Sequence, residues 1–223
     1  KMHKNHFDYI ICGGGASGLL LAYRICNDHH FIGKTILLIE KEPKNTNDRT
    51  WCFWESGEGD LEGMVHKNWN QAYFRADDFE MDFSLAPFQY KMIRSIDFYE
   101  SMKKQLAKFD QLTQIQEKVS RIDEKVVTTD IQSYHGNQIF SSIYDPKSLN
   151  NQKKYPVLLQ HFVGQVVETQ KPCFDPDKIE FMNFNVPQKG NTRFMYVLPL
   201  SSNKALLEYT LFSENLLEKK EYT

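Results

Sequence analysis

Two short apolar runs frame the first forty residues. "FDYIIC" (7–12) ends in glycines, and "KTILLIE" (34–40) ends in an acid. Nearly continuous apolar runs of this length predict strands buried on both faces of a parallel sheet. Between them "ASGLLLAYRICN" spaces Leu19, Ala22, Tyr23 and Cys26 three or four positions apart, as one face of a helix requires. From about Trp69 the pattern changes. "AYFRADDFEMDFSLAPFQYKMIR" interleaves aromatic and polar residues, as solvent-facing antiparallel strands do. "SIDFYESMKKQLAKF" then returns to helical spacing, with Ser95 as candidate N-cap and Phe98, Met102, Leu106 and Phe109 on one face.

"IQEKVSRID", "KVVTTD" and "NQIFSSIYD" read as three further strands. The polar, proline-bounded "PKSLNNQKKYP" (146–156) reads as a linker or crossover. Beyond it, "VLLQHFVGQVVET", "IEFMNFNV", "RFMYVLPL" and "KALLEYTLF" predict four strands, and "SENLLEKKEYT" predicts the start of a helix. No internal repeat or low-complexity tract interrupts the chain. The expected fold class is α/β (α+β): a nucleotide-binding fold interrupted by a second, mostly antiparallel β domain. The expected segments are 1–65 and 97–152 for the first domain, and 66–96 and 153–223 for the second.

The 223 residues are 41% hydrophobic, enough for a large core, and the net charge of −2 offers no general attraction for nucleic acid. Cys12, Cys26, Cys52 and Cys173 lie far apart with no CxxC spacing, which fits reduced thiols in a cytoplasmic protein. Cys12 and Cys26 sit among apolar neighbours and read as core. No His or Cys pair stands at metal-ligand spacing, so no metal is expected. No apolar run approaches the roughly 18 to 20 residues that span a bilayer.

The glycines after the first strand carry chemistry. Gly13-x-Gly15-x-x-Gly18 follows a predicted strand and opens a predicted helix, with Ser17 in the turn, and Glu40 ends the next strand. The first glycine turns the chain, the second lets backbone approach a diphosphate, and the third allows close helix–strand packing. Helix N–H groups then face the phosphate charge. Glu40 is placed to accept from ribose hydroxyls, and its charge disfavours the extra phosphate of NADP. The fingerprint itself leaves FAD and NAD open.

"HFVGQVVETQKPCFDPDKIEFMNFNVPQ", followed by "RFMYVLPLSSNKALLEYT", resembles the flavin-dependent bacterial lycopene β-cyclases, and "NDRTWCFWE" (47–55) is similar to their D-R-T-W segment. The resemblance runs over nearly the whole chain and is weakest between about 110 and 150. It implies a Rossmann-like FAD-binding domain and a substrate domain. The implied activity is closure of the ends of linear lycopene, or a related carotene, into β-ionone rings. FAD acts in its reduced form without net redox change, with NADPH or another reductant to prime it. A unit anion about 4 Å from a cation, at an effective dielectric of about 20, is worth roughly 4 kcal/mol. As lycopene is confined to membranes, a peripheral site on the cytoplasmic face is implied.

Glu208 in "LLEYT" matches the first glutamate of the family's F-L-E-E-T motif, and Thr210 its threonine. It is the candidate acid for protonating the terminal double bond. On residue pattern alone, the same carboxyl fits the solvent side of an alternating strand. Two positions depart from the family: Tyr209 replaces its second acid, and Asn183 replaces the aspartate of "FMDF". Trp51, Phe53 and Trp54, with Tyr209, are candidate substrate contacts, and packing beneath a sheet would also account for the aromatics. Arg49 is a candidate either for pairing with Asp48 or for holding a cofactor phosphate. His161 reads as structural, and Gly164 as a bulge or a close backbone approach. The alternatives are a monooxygenase or polyprenyl reductase on the same scaffold, and a non-catalytic fragment. The latter is raised because family members continue into a later Gly-rich segment that this chain does not reach.

Overall fold

A computed structural model describes residues 5–145 and 154–222. The chain enters on β1 (His6–Cys12), turns into α1 (Ala16–Asn27) and returns as β2 (Ile36–Glu40). Strands β3 (Thr50–Glu55), β4 (Lys67–Trp69), β5 (Gln71–Ala76), β6 (Phe79–Ser84) and β7 (Gln89–Arg94) follow. Helix α2 (Ser95–Leu106) leads to β8 (Leu112–Gln116), β9 (Val119–Ile122), β10 (Val126–Thr129) and β11 (Ser133–Ser141). The last strands are β12 (Leu159–Glu168), β13 (Lys178–Asn183), β14 (Thr192–Ser201) and β15 (Lys204–Ser213). The described residues form two compact units, one from 5–50 and 94–145, the other from 51–93 and 154–222.

The first unit is built on a six-stranded sheet of order β8-β2-β1-β11-β10-β9. Its first four strands are parallel, and β10 and β9 extend it antiparallel. All of Ile36–Ile39 is buried because β2 lies between β1 and β8 with both faces covered. The pairing of Ile10 with Leu37 and of Cys12 with Ile39 points these four to one face, where Val127 and Tyr134 join them. Burying one such aliphatic side chain is worth about 1.5–3 kcal/mol, so this face anchors the unit. Helix α1 buries Gly18, Leu19, Ala22, Ile25 and Cys26, a stripe at helical spacing, and packs on α2.

Three local expectations change in this unit. "IQEKVSRID" is two strands, β8 and β9, at opposite edges of the sheet. The chain breaks at Glu117, whose carboxylate accepts from the Thr129 hydroxyl at 2.6 Å and the Tyr134 hydroxyl at 2.8 Å. Helix α2 stops at Leu106, before Phe109. Ser95 opens that helix without capping it, because its hydroxyl bonds Asp48 Oδ1 at 3.0 Å and the Arg49 N–H at 3.0 Å.

The second unit holds a six-stranded sheet, β12-β15-β14-β13-β5-β6, and a three-stranded sheet, β3-β7-β4. Among the described residues, every pairing in the larger sheet is antiparallel except β13 with β5. Its core gathers Trp69, Ala72, Leu85, Met92, Ile179 and Leu198. Trp69 is fully buried, and its indole N–H donates to the Pro199 carbonyl at 2.9 Å. Lys91 is also fully buried. Its ammonium donates to Glu55 at 2.9 Å, Glu62 at 2.5 Å and the Gly57 carbonyl at 2.6 Å.

The chain passes between units at 50/51 and 93/94, not at 65/66 and 96/97. Residues 51–65 join the second unit because Trp51–Glu55 lie on β3 beside β7 and because Lys91 clamps Glu55 and Glu62. The remaining crossing lies outside the described residues. "SENLLEKKEYT" forms a single 3-10 turn at Lys219–Glu221, closed by a capping box between Glu218 and Glu221, where a helix was expected. No helix among the described residues is long and apolar enough to cross a membrane.

Candidate functional site

The glycine turn between β1 and α1 shows a separate physical demand at each position. Gly13 has φ +102°, and a Cβ there would lie 2.3 Å from Ser142 Oγ. At Gly18 a Cβ would fall 1.8 Å from the Gly13 carbonyl oxygen, so only glycine lets α1 seat this closely on the turn. Gly15 differs. It caps α1 with ordinary extended backbone and no side-chain cap, and a Cβ there would meet nothing within 4 Å. The turn is closed below at Gly18 and open above at Gly15, the side from which a diphosphate would approach the helix N-terminus. Ser17 is exposed on the first helical turn.

Glu40 ends β2 beside this turn. Its Oε2 accepts from the Gly14 N–H at 2.6 Å and its Oε1 from the Glu42 N–H at 3.0 Å. An ionised carboxylate has about four acceptor positions, so capacity for ribose hydroxyls remains. The same residues border a cleft of about 380 Å³ lined by Gly14, Glu40, Lys44, Tyr99, Lys103 and Gln116, among others. An open glycine turn, a carboxylate at the end of β2 and a cleft beside both fit the adenosine diphosphate half of FAD.

Asp48 and Arg49 belong to this unit but do not form a side-chain pair. The Asp48 carboxylate accepts from Ser95 at 3.0 Å and from the Tyr99 hydroxyl at 3.2 Å. Burial pushes Asp48 up, yet these hydrogen bonds and the charges of Lys44 and Arg49 prevail and hold it below the usual carboxylate range. The exposed Arg49 guanidinium donates to the Asp48 carbonyl at 3.0 Å.

The acid cluster lies within the second unit. Glu208 on β15 pairs with Tyr196 on β14, and Thr210 and Leu206 pair with Phe194 and Leu198. Directly paired residues share a face, so these six side chains stand together. Burial raises the Glu208 pKa above the ordinary 4.5, and no hydrogen bond or ion pair reaches its carboxyl among the described residues. Its neighbours are also pushed towards their neutral forms. Burial and then the Glu208 charge raise Tyr196. Burial carries Cys52 to about 12 despite a hydrogen bond from Tyr90. Burial, Cys52, Tyr196 and Glu208 all raise Tyr90. Burial is the leading cause at each member, so the charged form of all four is disfavoured in this part of the unit.

A chain of aromatic rings leads away from Tyr196, the partner of this acid across the strands. Trp54 lies 4.7 Å from Tyr90 and 5.4 Å from Phe181 between ring centroids, Phe181 lies 5.7 Å from Tyr196, and Tyr196 lies 5.1 Å from Phe194. Of the expected substrate contacts, only Trp54 joins the cluster. Strand alternation on β3 turns Cys52 and Trp54 one way and Trp51 and Phe53 the other. Tyr209 faces away from Glu208, and its hydroxyl accepts from Arg193 at 3.1 Å.

Tyr90, Phe181, Tyr196 and Cys52 are the residues that sequence reasoning missed, and strand register was the missing signal. His161 is structural: Nε2 meets the Ser213 hydroxyl at 2.7 Å and Nδ1 the Tyr222 hydroxyl at 2.6 Å. Asn183 donates to Glu180 at 3.2 Å and accepts from the Asn185 N–H at 2.9 Å, holding the turn after β13. No group of metal-ligating residues occurs among the described residues.

Among solved structures the fold is similar to PqsL, a probable FAD-dependent monooxygenase from Pseudomonas aeruginosa. The TM-score is 0.67 and the identity 13%, over 92% of this chain and 60% of that one. A geranylgeranyl bacteriochlorophyll reductase-like protein from Thermoplasma acidophilum gives 0.63 and 14%, over 98% and 60%. A tryptophan halogenase from Shewanella frigidimarina gives 0.62 and 12%, over 98% and 58%. The chain thus spans about three-fifths of the length of these three proteins. No curated protein matches its sequence significantly. The family model "Lycopene cyclase protein" matches residues 8–223. The chain belongs to the lycopene cyclase family.

Proposed function

We propose that this chain supplies the FAD-binding turn and the proton-donating cluster of a lycopene β-cyclase. The substrate is linear lycopene or a related linear carotene, drawn from a membrane on whose cytoplasmic face the protein sits. The observation that carries this reading is Glu208: a half-buried carboxyl raised by burial, without a cation or donor to ionise it, beside a chain of aromatic rings.

The residues suggest a balanced cycle. Protonated Glu208 donates to a terminal double bond, leaving a tertiary cation on the chain. The internal alkene attacks that carbon and closes the ring. A ring proton then leaves to the Glu208 carboxylate, and the acid is restored with no electron gained or lost. A desolvated ring face is worth about 2 kcal/mol to a cation. Two faces from Tyr90, Phe181 or Tyr196 would give about 4 kcal/mol, roughly a thousandfold in rate. The Gly13–Gly18 turn with Ser17, Glu40 and Arg49 would hold FAD, which when bound and reduced would supply negative charge to the reaction.

The structural neighbours keep a redox reading in view, since two of them are named as a monooxygenase and a reductase-like protein. Stoichiometry separates the two. With lycopene in liposomes and FAD reduced once, a cyclase forms many rings per priming equivalent of NADPH or dithionite. One nicotinamide consumed per product would replace the cyclase reading with the redox one. Full ring formation by Glu208→Gln would remove the acid from its role.

A further inference from the structure

Strand β12 is the outer strand of its sheet and pairs Gly164 directly with Glu208. Phe162, Gly164 and Val166 therefore stand on the face that carries the acid. Phe162 and Val166 are 56% and 58% exposed. Large apolar groups are unusual on an edge strand, where charge or proline is the common protection. Gln160 and Glu168 bound the strip on the same face, leaving about 13 Å of apolar edge at the usual strand rise.

Glycine in a strand weakens it and needs a reason. Backbone conformation does not supply one, because Gly164 is not among the positive-φ glycines. Crowding at the Cβ does not either. A Cβ would lie 3.4 Å from Glu208 Cγ, 3.5 Å from Oε1 and 3.5 Å from a Leu206 methyl, all at van der Waals contact. What a larger residue would remove is the open space over the carboxyl.

We propose that Gly164 is the doorway to Glu208. The branched, uncharged end of a linear isoprenoid hydrocarbon crosses the sheet edge between Phe162 and Val166 and meets the carboxyl above Gly164. This rests on Glu208 being the proton donor, and it makes Gly164 a specificity-determining residue for the same site. The occupant is apolar because both flanks of Gly164, Phe162 and Val166, are exposed hydrocarbon.

The test uses dicyclohexylcarbodiimide, an apolar reagent that adds to a protonated carboxyl. The acid's proton passes to a reagent nitrogen and the carboxylate to its central carbon, and acyl migration leaves a stable N-acylurea. Labelling is read by peptide mass at Glu208, in liposomes. The unaltered chain should label there, and lycopene in the same liposomes should slow the reaction. Gly164→Val should slow it by about tenfold or more, the ratio that an overpacking penalty of ordinary size gives. Gly164→Ala, which keeps normal contacts, should fall between. Gln165→Val, on the other face of β12, should label normally.

If the unaltered chain leaves Glu208 unlabelled, the acid reading fails and takes the doorway with it. If Glu208 labels but both Gly164 variants react at the full rate, the doorway alone is wrong. Absence of protection by lycopene would overturn the hydrocarbon occupant. Far-UV circular dichroism checks the fold of Gly164→Val, and should it misfold, Gly164→Ala decides.

Discussion

Gly15 and Gly18 are two glycines of one fingerprint, and the structure predicts opposite consequences for changing them. Gly18→Ala would gain about 1 kcal/mol of helix propensity. Its Cβ would fall 1.8 Å from the Gly13 carbonyl oxygen, 3.0 Å from that carbonyl carbon and 3.3 Å from an Ile11 methyl. The first two are backbone atoms, so relief requires α1 to move off the turn. Overpacking costs about 1–3 kcal/mol even where side chains can yield, and here the backbone must. A net loss of about 2 kcal/mol in urea unfolding is expected. Gly15→Ala meets nothing within 4 Å, and φ −77°, ψ −171° suits any residue. Losing glycine's unfolded-state entropy favours alanine by about 0.4–1 kcal/mol, while alanine caps a helix less well by a comparable amount. The Gly15 variant should therefore unfold within about 0.5 kcal/mol of the parent. Its larger relative, Gly15→Val, should lose FAD, because the side chain fills the space a diphosphate needs. Equilibrium dialysis with FAD, read by flavin absorbance beside urea curves, measures both. A Gly15→Val protein that keeps its flavin, or a Gly18→Ala protein as stable as the parent, would refute the argument.

Further predictions follow from the second unit and the thiols. Because the folded pKa of Glu208 lies above the ordinary 4.5, its contribution to stability is complete below that pH and is lost as pH rises through the folded value. Urea midpoints of the parent should thus fall relative to Glu208→Gln across that window and run parallel above it. A constant difference throughout would mean that folding does not raise this carboxyl's pKa. Lys91→Met strands Glu55 and Glu62 without their cation. The expected loss is about 3 kcal/mol, the low end for breaking a buried pair, since the carboxylates are 26% and 34% exposed. A change below the scatter of the urea curves would place this clamp among surface pairs of little worth. With an aromatic disulfide reagent at pH 8, exposed Cys173 should react rapidly. Cys12 and Cys52, which burial raises to about 11 and about 12, should wait for unfolding, and Cys26 is raised in the same sense. More than one fast thiol would contradict those environments.

What the sequence disclosed and what it hid divide along a physical line. The β1-α1-β2 unit was legible because its information is local: two buried runs, a helical stripe, and glycines whose spacing states where backbone must turn and approach. The acid was visible as a residue but not as a site. Its environment depends on which side chain of β14 lies opposite, and a one-residue change of register would exchange Tyr196 for a neighbour facing the other way. "NDRTWCFWE" shows the same limit within nine residues. Without an assigned strand it has no faces, so Trp51, Phe53 and Trp54 stood together as candidate substrate contacts. As strand β3 it alternates, and only Trp54 reaches the chain of rings that leads from Tyr196. Ser95 was misread for a related reason. The pattern at a helix start is a local signal, while the hydroxyl is engaged by Asp48 and Arg49, more than forty residues away in sequence. Gly164 shows the same limit, since in "FVGQV" it read as a bulge or a close backbone approach. The pairing with Glu208 shows what the missing side chain leaves open, the face of that carboxyl at the edge of the sheet.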